Sequence, residues 1–61
     1  MDVKITINCD NAVFGDYPEI ELARILTDLA GKVQTEPFDY IDGMPLRDLN
    51  GNTVGRVELT E

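Results

Sequence analysis

The first residues of the chain alternate between apolar and polar side chains. Val3, Ile5 and Ile7 are separated by Lys4 and Thr6. Alternation of β-branched residues with polar ones is typical of a strand that buries one face. We therefore expect a β-strand at the start of the chain.

A turn-rich segment, residues 9–16, precedes the clearest predicted element, an amphipathic helix. Its apolar stripe, with helical spacing, consists of Leu22, Ile25, Leu26, Leu29 and Val33. Asp16 and Glu19 have the spacing of a capping box, and Pro18 fits the first turn of a helix. These signals predict a helix that begins near Pro18 and turns its stripe toward the core.

The last part of the chain has the pattern of a β-hairpin. Residues 46–49 and 53–59 flank Asn50-Gly51, a dipeptide that favours the tight turn between two antiparallel strands. Gly55, inside the second of these strands, indicates a β-bulge or a close approach of another backbone.

The connection over residues 34–45 contains too much apolar mass for a freely solvated loop. Its large apolar side chains are Phe38, Tyr40, Ile41 and Met44. Thr35 is placed to cap a short helical turn over residues 36–42, which Gly43 would close. Two interpretations remain open. Either Phe38 and Ile41 plug one end of a small core, or the segment is an exposed aromatic and acidic patch that meets a partner.

The predicted fold is a single small α+β domain over residues 1–61, in the order strand, helix, strand, strand. One main helix packs on one face of a three-stranded sheet, and a short helical turn precedes the C-terminal hairpin. A chain of this length buries only about 60% of its unfolded surface. Because the sheet has open edges and a face that the helix does not cover, we expect a homodimer or a higher homo-oligomer.

Charge narrows the classes of partner. The chain has 12 acidic and 5 basic side chains, and its formal net charge is -7. Arg24, Asp28 and Lys32 nearly balance one another on the outer helix face, so the acidic excess lies in the connections. The connecting acids are Asp10, Asp16, Glu36, Asp39 and Asp42. This sign disfavours direct binding to nucleic acid or to an anionic membrane and favours a protein partner with a basic surface.

Candidate catalytic and metal-binding groups are sparse. The chain has no histidine and one cysteine, Cys9, which we interpret as a small buried or half-buried hydrophobe at a strand end. The segment that starts at Asp48 resembles a calcium loop but has Thr53 and Leu59 where glycine and glutamate are required. We therefore predict no enzyme, no cofactor and no metal site.

The start of the chain has neither the basic nor the apolar region of a signal peptide, and no stretch reaches the ~20 apolar residues that span a bilayer. A single cysteine without such a leader favours the reducing cytoplasm. We therefore expect a cytoplasmic protein.

Three stretches, Thr6–Phe14, Glu21–Ala30 and Leu46–Gly55, together resemble small uncharacterised acidic proteins encoded by tailed phages and prophages. Residues 34–45 do not take part in this resemblance. It implies a bacterial host and a genomic setting, and no functional residue is transferred by it. Small acidic phage proteins often bind and block a host factor, including defence systems, or act as accessory factors in infection.

The combined expectation is a non-catalytic phage-derived protein that binds and inhibits a host or anti-phage defence protein. The residues predicted to contact the partner are Phe38, Asp39, Tyr40 and Asp42, with Asp10 and Phe14. Aromatic side chains supply contact area and carboxylates attract a basic partner. Two alternatives stay open: a protein that sequesters a signalling nucleotide in a pocket between protomers, or a phage structural accessory protein.

Overall fold

The computed structural model describes residues 1–61. Its elements follow one another in the order predicted from the sequence. They are β1 (Asp2–Ile7), a first 3₁₀ turn (Ala12–Phe14), α1 (Pro18–Thr35), a second 3₁₀ turn (Phe38–Ile41), β2 (Pro45–Arg47) and β3 (Thr53–Thr60). The three strands form one antiparallel sheet in the order β1-β3-β2. The α+β class and the strand-helix-strand-strand order are therefore confirmed.

The central strand β3 pairs with the whole of β1, from Asp2 opposite Thr60 to Ile7 opposite Gly55. A Cβ on Gly55 would lie 2.0 Å from the backbone oxygen of Thr6, so the close approach predicted at this glycine is confirmed. The bulge lies elsewhere, where the pairing of β2 with β3 shifts between Leu46 and Arg47.

The hairpin is looser than Asn50-Gly51 alone predicts. The strands end at Arg47 and begin again at Thr53, so the connection is a five-residue loop over 48–52. Gly51 has a φ of +85° in this loop, a conformation that favours glycine. The turn lies where it was predicted, but the strand predicted over 46–49 ends at Arg47 because Asp48 organises the loop.

A small apolar core lies between α1, the strands β2 and β3, and the two 3₁₀ turns. It consists of Phe14, Ile25, Leu29, Ile41, Leu46 and Val57. The helix packs against β2 and the 3₁₀ turns, whereas β1 contacts mainly β3. The molecule is consequently elongated, with extents of 36 × 21 × 17 Å. α1 lacks the length and apolar character of a membrane-spanning helix.

The start of α1 differs from the predicted capping box. Tyr17 is the N-cap residue and its side chain makes no capping hydrogen bond, so the prediction for Asp16 was wrong. Pro18 is the first helical residue, as predicted. At the other end, Thr35 is the last helical residue and its hydroxyl donates to the backbone oxygen of Gly31, so it does not cap the following turn.

The buried stripe of α1 is rotated from the predicted one. Its buried residues are Glu21, Ile25 and Leu29, while Leu26 and Val33 are exposed. The helix is about 27 Å long by its rise per residue, but β2, which it faces, has only three residues. The sheet is therefore too short to cover the whole apolar side of the helix.

Candidate functional site

The connection between α1 and β2 is partly a core plug and partly an exposed aromatic and acidic patch, the two interpretations of its sequence. Ile41 is buried in the core, whereas Phe38 is 46% and Tyr40 58% exposed. Phe38 and Ile41, three residues apart in the 3₁₀ turn, lie on one side of it and Tyr40 on another, which is why Phe38 is the less exposed of the two rings. Ile41 is the core plug, and the two aromatic rings lie at the surface.

Backbone hydrogen bonds hold this turn in place. The N–H of Tyr40 donates to the oxygen of Pro37 at 2.9 Å, and the N–H of Asp42 donates to Asp39 at 3.2 Å. Gly43 then reverses the chain with a φ of +76°, and its N–H donates to the oxygen of Val57 at 2.8 Å. The turn is thus fixed to the central strand directly after the aromatic side chains.

The two aspartates of the connection have different surroundings. Asp42 accepts the N–H of Leu59 through Oδ1 at 3.0 Å. Because β2 is short, this part of β3 has no neighbouring strand on that side, and the Asp42 carboxylate supplies the missing acceptor. Asp39 is exposed, and its side chain makes no hydrogen bond within the chain. Of these two aspartates, Asp39 is thus the one whose carboxylate is free to meet a partner.

Asp10 and Phe14, which we predicted as part of the same surface, lie elsewhere. Asp10 is exposed and lines an open polar depression of about 370 Å³ together with Val54. Asp42 lies beside Leu59, five residues further along β3, a distance of about 16 Å at the usual rise per residue. Phe14 is only 2% exposed and belongs to the core, so its side chain is not available for contact with a partner.

A second exposed apolar group lies at the start of the helix. Tyr17, Ile20 and Leu49 are all strongly exposed and line a shallow depression of about 300 Å³, with Asp16 at its rim. Sequence reasoning missed this group. Two signals were present, since Ile20 falls outside the helical stripe and Leu49 is an apolar residue in the middle of a polar turn.

Asp48 is a buried carboxylate that organises the loop over residues 48–52. Its oxygens accept the backbone N–H groups of Asn50 and Asn52, both at 2.9 Å, and the side-chain amides of Asn11 at 2.5 Å and Asn52 at 3.1 Å. The hydrogen bond from Asn11, with those from the loop, lowers the pKa of Asp48. The residues that resemble a calcium loop thus have a structural role, because their carboxylate is already fully hydrogen-bonded.

A second buried carboxylate, Glu21, joins α1 to the same loop. It pairs with Arg24, whose Nε donates to Oε1 at 2.7 Å, and its Oε2 accepts the N–H of Leu49 at 2.8 Å. The hydrogen bond from Arg24 lowers the pKa of Glu21 and raises that of Arg24. Arg24 also donates to the oxygen of Arg47 and to Asp28, so this guanidinium is fully committed to the fold.

The thiol of Cys9 is exposed, so its prediction as a buried or half-buried hydrophobe was wrong. β1 ends at Ile7, and the chain leaves the sheet before it reaches the cysteine. No group of three or more Cys, Asp or Glu side chains is placed to hold a metal ion. A further, smaller depression of about 70 Å³ lies between α1 and β2.

Comparison with known proteins found no match to this chain among family models, curated proteins or solved structures.

Proposed function

We propose that this chain is a non-catalytic, phage-derived interaction protein that binds a basic surface of a host or anti-phage defence protein and inhibits it. The observation that supports this proposal is the display of Phe38 and Tyr40 on an anchored turn beside Asp39. The phage origin, the class of target and a cytoplasmic location in the bacterial host come from the sequence resemblance and composition.

The anchored turn makes the two rings suitable for binding. A buried Tyr or Phe contributes a large contact area with few rotatable bonds. Binding by a flexible loop also costs conformational entropy, because the loop must become ordered. Here Ile41 and the hydrogen bond from Gly43 to Val57 already hold the backbone. Much of that ordering cost is therefore absent.

The acidic side chains around the rings set the kind of partner. Glu36 and Asp39 are exposed, and neither carboxylate is paired with a basic side chain. Unpaired surface carboxylates attract a basic partner and mainly raise the association rate. The partner surface that fits has Lys or Arg side chains around an apolar recess that accepts an aromatic ring.

Affinity capture from host lysate tests the proposal when two tyrosines are compared. Tyr40 and Tyr17 are similarly exposed, at 58% and 67%, and lie on different parts of the surface. We expect the wild-type chain and Tyr17→Ala to retain the same host protein, and Tyr40→Ala to retain much less of it. A tenfold loss of affinity corresponds to about 1.4 kcal/mol, and the loss of a hot-spot residue to about 2 kcal/mol or more.

The captured protein then allows a direct test of inhibition. Its own activity is measured with increasing amounts of wild-type chain and of Tyr40→Ala. We expect the wild-type chain to lower that activity and the variant to lower it much less. If Tyr40→Ala captured the host protein as well as the wild-type chain does, the assignment of the contact surface would be contradicted. If capture left the activity of the host protein unchanged, the assignment of an inhibitory role would be contradicted.

A further inference from the structure

The free edge of β1 has a regular row of unused backbone groups. Asn8, directly after β1, donates its N–H to the oxygen of Val54 at 2.7 Å. Hydrogen-bonded pairs alternate along antiparallel strands, so the even-numbered residues of β1 bond to β3. Val3, Ile5 and Ile7 therefore direct their N–H and C=O groups away from the sheet. No loop or side chain hydrogen-bonds to these groups.

The opposite edge of the sheet is protected from further pairing. The N–H of Val57 donates to Met44, so by the same alternation Pro45 faces outward; the oxygen of Arg47, beyond the register shift, accepts from Arg24. Proline has no N–H, and this edge strand has only three residues and a register shift. Short length, proline and bulges are among the means by which proteins block edge pairing. β1 has six residues and none of these features.

The side chains of β1 are also incompletely covered. The register puts Val3 beside Leu59 and Ile5 beside Val57 on the apolar face of the sheet. Val57 is fully buried, but Val3 is 49% and Ile5 44% exposed because α1 packs over the other edge. A strand added beside β1 would cover the open sides of these two residues.

The distribution of charge favours a second copy of this chain at that edge. Residues 9–52 contain nine acidic and three basic side chains, whereas residues 1–8 and 53–61 together contain three acidic and two basic ones. Two molecules of charge -7 repel each other least where their nearly balanced surfaces meet and their acidic regions point apart.

We propose that two copies of the chain pair antiparallel through β1 about a two-fold axis, which joins their sheets into one six-stranded sheet. The register centred on Ile5 uses all three outward-facing residues and places Val3 beside Ile7 of the second copy. The register shifted to centre on Lys4 puts two lysines opposite each other, which is unfavourable. This inference does not depend on the proposed function.

Proline at position 5 tests the proposal by giving β1 the feature that protects β2. The N–H of Ile5 faces the free edge, so its removal leaves the pairing with β3 intact. We expect sedimentation equilibrium to give about twice 6.8 kDa for the wild-type chain and 6.8 kDa for Ile5→Pro. Circular dichroism checks that the variant is folded.

A second pair of variants leaves the backbone unchanged. Val3→Lys adds a charge at the proposed contact, and Leu49→Lys adds the same charge at an exposed apolar position on another part of the surface. We expect at least tenfold weaker dimerisation for Val3→Lys and little change for Leu49→Lys. A wild-type chain that stays monomeric at the concentrations used for NMR overturns the proposal.

Amide hydrogen exchange identifies the strand that forms the contact. In the dimer, the amides of Val3, Ile5 and Ile7 gain protection as the protein concentration rises. The amides of Lys4 and Thr6 are protected at all concentrations because they bond to β3. A dimer in which the three odd-numbered amides exchange rapidly would use a different surface, and the proposal would be wrong.

Discussion

The two ends of this molecule are stabilised by different means. At one end, α1, β2 and the loop over residues 48–52 enclose the apolar core and two buried carboxylates, Glu21 and Asp48. At the other end, β1 is held mainly by its pairing with β3, and α1 does not cover it. The same chain thus has a closed end with satisfied polar groups and an open end with unused ones.

Because of this difference, the residues that stabilise the fold and those that are free to contact another molecule lie in different parts of this chain of 61 residues. Few positions are available for a core of this size, and most of them lie at the closed end. The open strand contributes little buried area, so its outer edge is free to pair with another strand. The aromatic turn lies at the boundary, since Ile41 belongs to the core and Tyr40 to the surface.

The same substitution at each end should have very different effects on stability. Ile25 is 2% exposed and Ile5 is 44% exposed. We expect Ile25→Ala to lower the free energy of unfolding by about 2–5 kcal/mol, because it leaves a cavity in the core. Ile5→Ala should lower it by less than about 1 kcal/mol in the monomer.

Urea denaturation at a protein concentration low enough to keep the chain monomeric measures both values. Because a domain of this size has a thin stability margin, the unfolding of Ile25→Ala is measured at low temperature. Ile25→Val serves as a milder variant and should cost about 0.5–1.5 kcal/mol. Equal losses for Ile25→Ala and Ile5→Ala would show that the two ends do not differ as described.

Acid should destabilise the closed end specifically. The pKa values of Asp48 and Glu21 are lowered from their ordinary values of 3.8 and 4.5, by the hydrogen bonds from Asn11 and Arg24 respectively. Groups with a lowered pKa contribute stability that is complete above their unfolded pKa and is lost as the pH falls through the folded one. We expect a level melting temperature above about pH 5 and a steep fall below about pH 4.

Two aspartate variants test which carboxylate causes this fall of the melting temperature in acid. Asp48→Asn presents an amide to backbone N–H groups that need an acceptor. Its melting temperature should therefore be lower at neutral pH and should depend less on pH in the acid range. Asp39→Asn, at an exposed carboxylate without hydrogen bonds, should follow the wild-type curve. An unchanged acid dependence in Asp48→Asn would assign the effect to other carboxylates.

The fold was predictable because each element has a strong local signal. Alternation in β1, helical spacing in α1 and the Asn-Gly turn all depend on neighbouring residues. The rotation of α1 was not predictable, because Glu21 is buried through partners that are distant in sequence. Its carboxylate bonds to the backbone of Leu49, 28 positions away. Periodicity alone cannot identify a polar residue that is buried by such a contact.

The candidate surface was predictable only in part. The sequence indicates which side chains of residues 36–42 have apolar mass, but their exposure depends on where the turn meets β3. Phe14 illustrates the limit, since a phenylalanine in a polar turn suggested a surface residue and instead occupies the core. Tyr17, Ile20 and Leu49 come together only in the folded chain, so no local pattern reveals them as a group.

Substitutions in the aromatic turn should separate its core residue from its surface residues. Ile41 is 3% and Tyr40 58% exposed. We expect Ile41→Ala to lower the free energy of unfolding by about 2–5 kcal/mol and Tyr40→Ala by less than about 1 kcal/mol. Phe38→Ala should fall between them. A large loss for Tyr40→Ala in thermal unfolding would show that its ring is part of the core and would remove it from the proposed contact surface.

The smallest expected effect is that of salt concentration on self-association through β1. Because each copy carries a charge of -7, self-association should strengthen as salt screens the repulsion between the acidic regions. Raising the ionic strength from about 0.01 to about 0.15 M shortens the Debye length from ~30 to ~8 Å. Sedimentation equilibrium should then show a larger dimer fraction in wild-type protein.

Lys4→Gln distinguishes two possible registers of the paired strands in the same experiment. In the register centred on Ile5, Lys4 lies opposite Thr6 of the second copy, and its removal leaves the salt response nearly unchanged. In a register centred on Val3, Lys4 lies opposite Asp2 of the second copy, and Lys4→Gln would weaken the dimer most at low salt, where that ion pair is least screened. A wild-type dimer that weakens as salt is added would show that ion pairs hold the contact, contrary to the pairing of nearly balanced surfaces proposed for β1.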